Sequence, residues 1–367
     1  MILCVFERKD PREREASPIS AFYRVDRSYS WNYEHVPALP RVRRLPLGPG
    51  AHLLGYDLNS PLGVAAGPLL NSRWIEGYAR LGYDILTYAT VRSQPHGALS
   101  LPNIRHVDNR EQGAAVISKR PAMNGNTTIA VSLGQPSMDP EVWRKDVRRA
   151  KERIGRGQML VVSVMGTPSV TEGIDAFIAD YALCATWASE AGADAIEVHL
   201  AAPNPFAEPG LMVYEHIPLA AQILYRVRTS VSVPVLAKLG IFRTPRALHE
   251  TATKLAAWAH GFVLVHAIPR RVVDDEGKAA FEGREWAEVV GSATFPVASR
   301  QVEELLAWRR AGAWPQAILA VGGISTEERA RHLLREGADA TLVATAALFD
   351  PLFAARCRRA LGASAVA

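Results

Sequence analysis

The amino-acid sequence predicts an α/β fold in which eight parallel strands close into a (β/α)8 barrel. Eight short apolar runs, each followed by a helical segment, alternate from Pro61 to the C-terminal helix. Apolar runs without a polar face are typical of parallel strands that are covered on both sides. The chain has 367 residues, more than the ~250 typical of this barrel. An N-terminal arm (residues 1–45) and two inserts account for the excess, and residues 46–367 are expected to form one barrel domain.

The composition favours a cytoplasmic protein that acts on a small molecule. The net charge is only +5 and the basic residues are scattered, so no nucleic-acid partner is expected. Three cysteines lie far apart, without the spacing of a disulfide framework or a zinc site. No apolar run reaches the roughly 18 residues of a membrane helix, and the charged N-terminus does not resemble a secretory signal. No membrane partner is expected, and a homodimer that exchanges the arm is compatible with the sequence.

The first part of the barrel is interrupted by an elaborated loop. The run PLGVAAG is read as a strand, Asn71 as the cap of the next helix, and ILTYAT as a second strand that ends at Thr90. Residues 92–135 hold many Pro, Gly and Asn residues, and a hairpin is expected between Ile104 and Ile117.

The second part alternates regularly until a further insert. Strands AIEVHL, PVLAKLG and FVLVHA end near His199, Lys238 and His266. Residues 269–298 are read as a long irregular insert. The intervening helices are predicted over Pro140–Ile154, Ile174–Ala191, Tyr214–Thr229, Thr244–Gly261 and Arg300–Ala311.

The stretch Ala317 to Phe349 predicts a phosphate site. A short apolar run leads to the pair Gly322 and Gly323, after which Ser325 is expected to cap a helix with Glu328 three residues later. Glycines before a helix N-terminus suit an anion, and loops after strands seven and eight hold phosphate in many barrels of this kind. The alternative is an ordinary strand–helix pair with a glycine turn.

Polar residues at the strand ends are the candidates for chemistry, because active sites of this barrel lie at the carboxyl ends of the strands. A lysine that ends an apolar strand needs a partner: an anion, a carbonyl or a flat ring, or a structural salt bridge. Two strand-end histidines suit proton transfer near neutral pH, although each could be an ordinary core residue. No third ligand stands at a strand end, so no metal is expected. The residues are Thr90, Ser163, His199, Asn204, Lys238 and His266.

The chain resembles the dihydroorotate dehydrogenase family of FMN-dependent barrels from Pro61 to the C-terminal helix. The resemblance rests on PLGVAAG, TYATVRSQPHG, LSLPN, VVSVMG, EVHLAAPN, PVLAKLG and LAVGGI…GADATLVATA, in this order. It implies FMN as cofactor, with the phosphate at the glycine pair and a lysine at the edge of the flavin ring. The implied cofactor positions are Ala65, Ala66, Gly67, Thr90, Ser163, Lys238, Gly291, Gly322, Gly323, Ala344 and Thr345.

The substrate half departs from the family pattern. The Ser or Cys base that precedes Pro in the family is Ala202 here, and a lysine expected after the AAG turn is Leu70. The resemblance places His199 and His266 where the family has asparagines. The implied substrate residues are Lys119, Asn124 and Asn204.

Two hypotheses follow from a family-like cofactor site combined with altered substrate positions. In the first, FMN exchanges a hydride with a small heterocyclic or amino-acid-derived substrate other than dihydroorotate, and His199 or His266 replaces the lost base. In the second, a non-redox barrel keeps flavin or phosphate as a structural ligand, and the arm binds a partner protein. A tRNA-reducing flavin barrel is a third and weaker alternative, because it would need an RNA-binding extension and a cysteine acid.

Overall fold

The computed structural model describes residues 23–40, 42, 44–108, 113–169, 171–312 and 314–364. Residues 1–22 of the predicted arm lie outside this range. In chain order the strands are β1 (Ala51–Leu53), β2 (Tyr56–Leu58), β3 (Leu62–Leu69), β4 (Ile85–Val91), β5 (Ile104–Asp108), β6 (Ala115–Ile117), β7 (Thr128–Val131), β8 (Met159–Val164), β9 (Ala195–His199), β10 (Val235–Lys238), β11 (Gly261–Leu264), β12 (Ile268–Val273), β13 (Trp286–Gly291), β14 (Ala317–Val321) and β15 (Ala340–Val343).

Eight parallel strands close into a barrel in the order β3, β4, β8, β9, β10, β11, β14 and β15, which confirms the predicted (β/α)8 fold. Their residues are almost entirely buried, as expected for strands packed on both faces. The helices are α1 (Tyr29–Glu34), α2 (Ser72–Leu81), α3 (Pro140–Arg153), α4 (Gly173–Glu190), α5 (Ile217–Ser230), α6 (Pro245–Leu255), α7 (Phe295–Arg310), α8 (Glu327–Arg335), α9 (Thr345–Phe349) and α10 (Phe353–Ser364).

Several helix starts carry the side-chain caps that the sequence predicts, and one is capped by a neighbouring residue. The side chain of Asn71 accepts hydrogen bonds at the start of α2, and Thr244 caps α6 directly before a proline, both as predicted. The prediction for Ser325 was wrong: Thr326 caps α8 instead. The hydroxyl of Ser325 is engaged elsewhere, since it lies 3.2 Å from the Asn126 Oδ1 acceptor and accepts from Arg329.

The two inserts form one sheet above the barrel. Strands β5 and β6 make the hairpin that was expected between Ile104 and Ile117. The irregular reading of residues 269–298 was wrong, because this stretch contains most of β12 and all of β13. These strands pair with β6 and β7, and the five strands close on themselves around Val289 and Phe281. The two strands also pair with each other, but β6 and β7 lie far away in sequence, so a local pattern does not predict the sheet.

The described end of the arm packs against the barrel rather than standing apart. The Asn71 amide donates to the carbonyl of Tyr33 at 2.6 Å, and the Trp74 indole donates to the carbonyl of Asn32 at 3.3 Å. Tyr23 and Tyr29 are buried by this contact. Among the described helices, none is long and apolar enough to cross a membrane. The division at residue 45 remains a prediction.

Candidate active site

A cavity of about 400 Å³ opens at the carboxyl ends of the barrel strands, beneath the insert sheet. Its floor is formed by strand ends, one wall by the loop after β9, and the roof by residues of both inserts. The predicted residues that line it are Ala65, Ala66, Gly67, Thr90, Lys238, His266, Ala344 and Thr345.

A buried ion pair lies in the barrel floor. The Lys238 ammonium is 3.2 Å from Oε1 of Glu197, and the two side chains are 2% and 1% exposed. The other oxygen of Glu197 has no hydrogen-bond partner within the described chain. An isolated ammonium at this depth would be costly, so Glu197 makes the buried lysine tolerable. The salt bridge that the sequence left open is therefore present, at a lysine that also faces the cavity.

His199 lies behind the cavity wall rather than in it. It is 1% exposed, and in the described structure neither ring nitrogen has a hydrogen-bond partner. Burial, then the charges of His266, Lys238 and Arg92, lower the pKa of His199 well below its ordinary value. This imidazole is therefore neutral at physiological pH. Unlike His266, His199 does not line the cavity.

His266 faces the cavity and has a carboxylate partner that the sequence did not reveal. Its Nε2 is 3.1 Å from Oε1 of Glu288, and its ring meets that of His199 edge-on at a centroid distance of 4.8 Å. Burial raises the pKa of Glu288, but the charge and hydrogen bond of His266, with Lys238, outweigh it and leave the pKa below the ordinary value. Glu288 is therefore an anion that holds the imidazole in place. It comes from β13, an element that the sequence analysis missed.

A pair of hydroxyls completes the floor. The Thr90 and Ser163 side-chain oxygens are 3.1 Å apart on the neighbouring strands β4 and β8. Thr90 reaches the cavity, whereas Ser163 is fully buried beneath it. Tyr181 of α4 donates to the backbone carbonyl of His199 at 3.0 Å and fixes the end of β9.

A smaller cavity of about 40 Å³ lies beside the first, at the predicted phosphate site. The backbone is too close for side chains here: a Cβ on Gly323 would lie 2.4 Å from the Phe295 nitrogen, and one on Gly291 would lie 2.3 Å from the Thr127 carbonyl oxygen. Both glycines have positive φ, of +68° and +105°. The cradle residues are Gly291, Ser292, Gly322, Gly323, Ser325, Ala344 and Thr345.

Arg329 of α8 holds this cradle together and was not foreseen from the sequence. Its guanidinium donates to the carbonyls of Ser292 and Gly323, at 3.1 and 2.8 Å, and to the hydroxyls of Ser292 and Ser325, at 2.8 and 2.9 Å. It also stacks over the ring of Phe295. All these acceptors are neutral, so its positive charge remains available to an anion.

Comparisons with known proteins agree with this geometry. The chain is 27% identical to a dihydroorotate dehydrogenase from Dictyostelium discoideum, over 90% of this chain and 95% of that protein. It is 30% identical to a putative dihydroorotate dehydrogenase A (fumarate) from Aeropyrum pernix, over 80% of this chain and 84% of that protein. The chain belongs to the dihydroorotate dehydrogenase family.

A solved structure shares the barrel fold. A crystal structure of the Eimeria tenella dihydroorotate dehydrogenase in complex with ferulenol superposes with a TM-score of 0.69 at 16% identity, over 91% of this chain and 89% of that one. No protein-family model matches the sequence. Members of the family are FMN-dependent flavoproteins, so the chain is an FMN-dependent oxidoreductase that acts on CH–CH bonds.

The residues present fit FMN. The cradle encloses a space of about 40 Å³ beside the larger cavity, its glycines are required by the neighbouring backbone, and Arg329 supplies a cation beside it. The larger cavity adjoins the cradle through Ala344 and Thr345 and has room for a flat ring against Gly67, Thr90 and Lys238. We propose that these residues hold the cofactor in this arrangement.

The substrate residues implied by the resemblance do not line the cavity. Lys119 is 76% exposed and pairs with Asp275, and Asn124 is exposed in a turn that its own amide oxygen stabilises. Asn204 is buried, but its side-chain oxygen accepts from the Phe206 backbone within the same loop. Lys119 and Asn124 are exposed in this structure, and their assignment to the substrate stays a prediction.

We expect Arg329→Ala to weaken FMN binding by roughly tenfold to a hundredfold, since a hydrogen bond to a charged group contributes about 1.5–3 kcal/mol. Titration of the FMN-free protein with FMN, followed by flavin fluorescence, measures this affinity. Arg335→Ala, on an exposed position of the same helix, is the matched control and should bind as the unaltered chain does. Equal affinity in both variants would contradict the role of Arg329.

We expect His199 to make the fold sensitive to acid. The unfolded chain binds a proton at this imidazole near pH 6.5, whereas the folded chain does not, so stability falls as the pH drops below about 6.5. One such group contributes a slope of up to about 1.4 kcal/mol per pH unit. Urea unfolding from pH 7.5 to pH 5 should show a shallower dependence of the free energy of unfolding on pH for His199→Gln. An unchanged dependence in His199→Gln would refute the neutral assignment.

Proposed function

We propose that this FMN-dependent oxidoreductase transfers a hydride between flavin and a ring substrate other than dihydroorotate, with His266 as the proton-transfer group and Glu288 as its positioning residue. The observation that carries the proposal is the hydrogen bond between His266 and Glu288 at the cavity wall. In the same site, Ala202 occupies the position where the family resemblance implies a Ser or Cys base.

Dihydroorotate would find neither its base nor its anion partner in this site. Ala202 has no proton to exchange and is buried, while its neighbours Ala201 and Pro203 form the cavity wall. Leu70 stands where the family resemblance implies a lysine, and it too is buried. The named activity of the relatives therefore lacks two of its chemical requirements here.

His266 meets the geometric requirement for a general base. The Glu288 carboxylate accepts from Nε2–H, which leaves the lone pair of Nδ1 free to take a proton from substrate. A fixed carboxylate also stabilises the imidazolium that forms. Bound FMN supplies the two-electron acceptor or donor for the hydride. In the reverse direction the imidazolium returns the proton from the same atom.

His199 supports this role without sharing it. Its low pKa keeps it uncharged beside His266, so it does not repel the imidazolium that forms there. Lys238 places a positive charge at the cavity floor, where it favours the reduced, anionic flavin. We therefore assign proton transfer to His266 and a packing role to His199.

A simple hydride acceptor tests the assignment. The FMN-loaded protein is reduced with dithionite without oxygen and mixed with 2-cyclohexenone, which needs a hydride at one carbon and a proton at the next. We expect His266→Ala to slow flavin reoxidation about 10²- to 10⁴-fold, the usual contribution of general acid–base catalysis. Glu288→Gln should slow it less and move the pH dependence of the rate.

The matched control is His332→Ala. His332 is exposed and does not line the cavity, so the reoxidation rate of this variant should equal that of the unaltered protein. Reoxidation of His266→Ala at the unaltered rate across the whole pH range would overturn the role of His266. A strong loss in His199→Ala alone would transfer the role to that residue.

A further inference from the structure

We propose that the substrate of this site is an uncharged, largely apolar ring compound, and that Glu288 excludes carboxylates from it. This inference rests on the proposed function, because it concerns the part of the cavity that the flavin leaves free. Three features carry it: the charge balance of the wall, its apolar lining and the nature of its mouth.

The charge balance leaves one negative charge at the wall. Apart from tyrosines, the ionisable side chains among the described lining residues are Lys238, His266 and Glu288. Lys238 and Glu197 pair at 3.2 Å and together add no net charge. Glu288 bonds His266 and also feels the charge of Lys238, so the sum over Lys238, Glu197 and Glu288 is one negative charge. A substrate carboxylate would have to approach an anion at the wall.

Two further cations, Arg92 and Arg329, do not change the net negative charge of the wall. Arg92 is buried behind the wall, where it donates to the carbonyls of Gln135 and Gly166 and feels the charge of Asp180. It does not line the cavity. Arg329 lies at the phosphate cradle, where the cofactor's own phosphate would take up its charge.

The wall opposite the flavin position is apolar. Tyr214 presents its ring, because its hydroxyl donates to the Ile241 carbonyl at 2.6 Å and is not free for substrate. The neighbouring surface is mostly hydrocarbon and thioether, with Ser132 and Gln135 among its residues. Such a surface solvates a neutral ring and disfavours an ion. The remaining apolar residues of this wall are Leu99, Val131, Leu133, Met212, Ile241 and Trp286.

The mouth exposes two apolar side chains. Trp286 lines the cavity yet is 62% exposed, and Leu99 is 40% exposed. Arg284 lies beside the mouth without lining the cavity, and it donates to the carbonyls of Ser100 and Pro102, each at 3.2 Å. An exposed tryptophan beside an opening is a surface on which an apolar substituent can stack. The substrate is therefore expected to carry an apolar group that extends from the ring toward Trp286.

Three pyrimidines distinguish the effect of a ligand carboxylate from the effect of an apolar substituent. Orotate and uracil differ only by a carboxylate, and 5-benzyluracil adds an apolar group to the neutral ring. Each is titrated into the FMN-loaded protein, and binding is followed by the perturbation of the flavin absorption spectrum. We expect affinity to fall from 5-benzyluracil to uracil to orotate.

Two variants assign the effects to residues. Glu288→Gln should tighten orotate binding by roughly tenfold, because a like charge facing the ligand is removed, and should leave uracil binding nearly unchanged. Trp286→Ala should weaken 5-benzyluracil binding alone. Glu282→Gln, an exposed carboxylate before β13, is the matched control and should change none of the three affinities.

Orotate binding as tightly as uracil, or no gain for orotate in Glu288→Gln, would overturn the inference. Its failure is distinct from failure of the proposed function. If orotate binds tightly but dihydroorotate does not reduce the flavin, only the inference fails. If dihydroorotate reduces the flavin while the neutral ligands still bind more tightly, only the proposed function fails.

Discussion

The buried ion pair between Lys238 and Glu197 is the constraint around which the site is built. Strands β9 and β10 are neighbours in register, with His199 opposite Lys238, so Glu197 lies two residues below on the same face of β9. Removing one partner would leave the other charge buried, at a cost of about 3–5 kcal/mol. The pair thus fixes a cation in the cavity floor, and it requires the lysine and the glutamate together.

The floor that contains this ion pair follows the family pattern, whereas the wall above it does not. The floor and the glycine cradle retain a cation, a pair of hydroxyls and room for a phosphate. The wall above them has Ala202 where the family resemblance implies a hydroxyl or thiol, and it carries a histidine held by a carboxylate. A cofactor demands the same surroundings in every member of a family, whereas the substrate wall can change with the substrate.

Sequence reasoning succeeded where the signal is local and failed where it is not. The barrel, the Asn71 cap and the glycines at 322 and 323 are encoded in short stretches with clear periodicity or turn chemistry. Glu288 was missed because β13 lies between β12 and the distant strand β7, and its alternating pattern is short. Lys119 was placed by similarity alone, yet the direction of a loop depends on tertiary contacts such as its ion pair with Asp275. Arg329 was missed because nothing in the sequence distinguishes it from the other charged residues of α8.

We propose that the FMN site of this protein serves a substrate other than dihydroorotate. To test this, the FMN-loaded protein is mixed with dihydroorotate in the absence of oxygen, and the visible absorption of the flavin is followed. We expect the flavin to stay oxidised, while dithionite added afterwards bleaches it completely. Rapid and complete bleaching by dihydroorotate would show that the relatives' reaction is retained without the family's base, and would contradict the proposal.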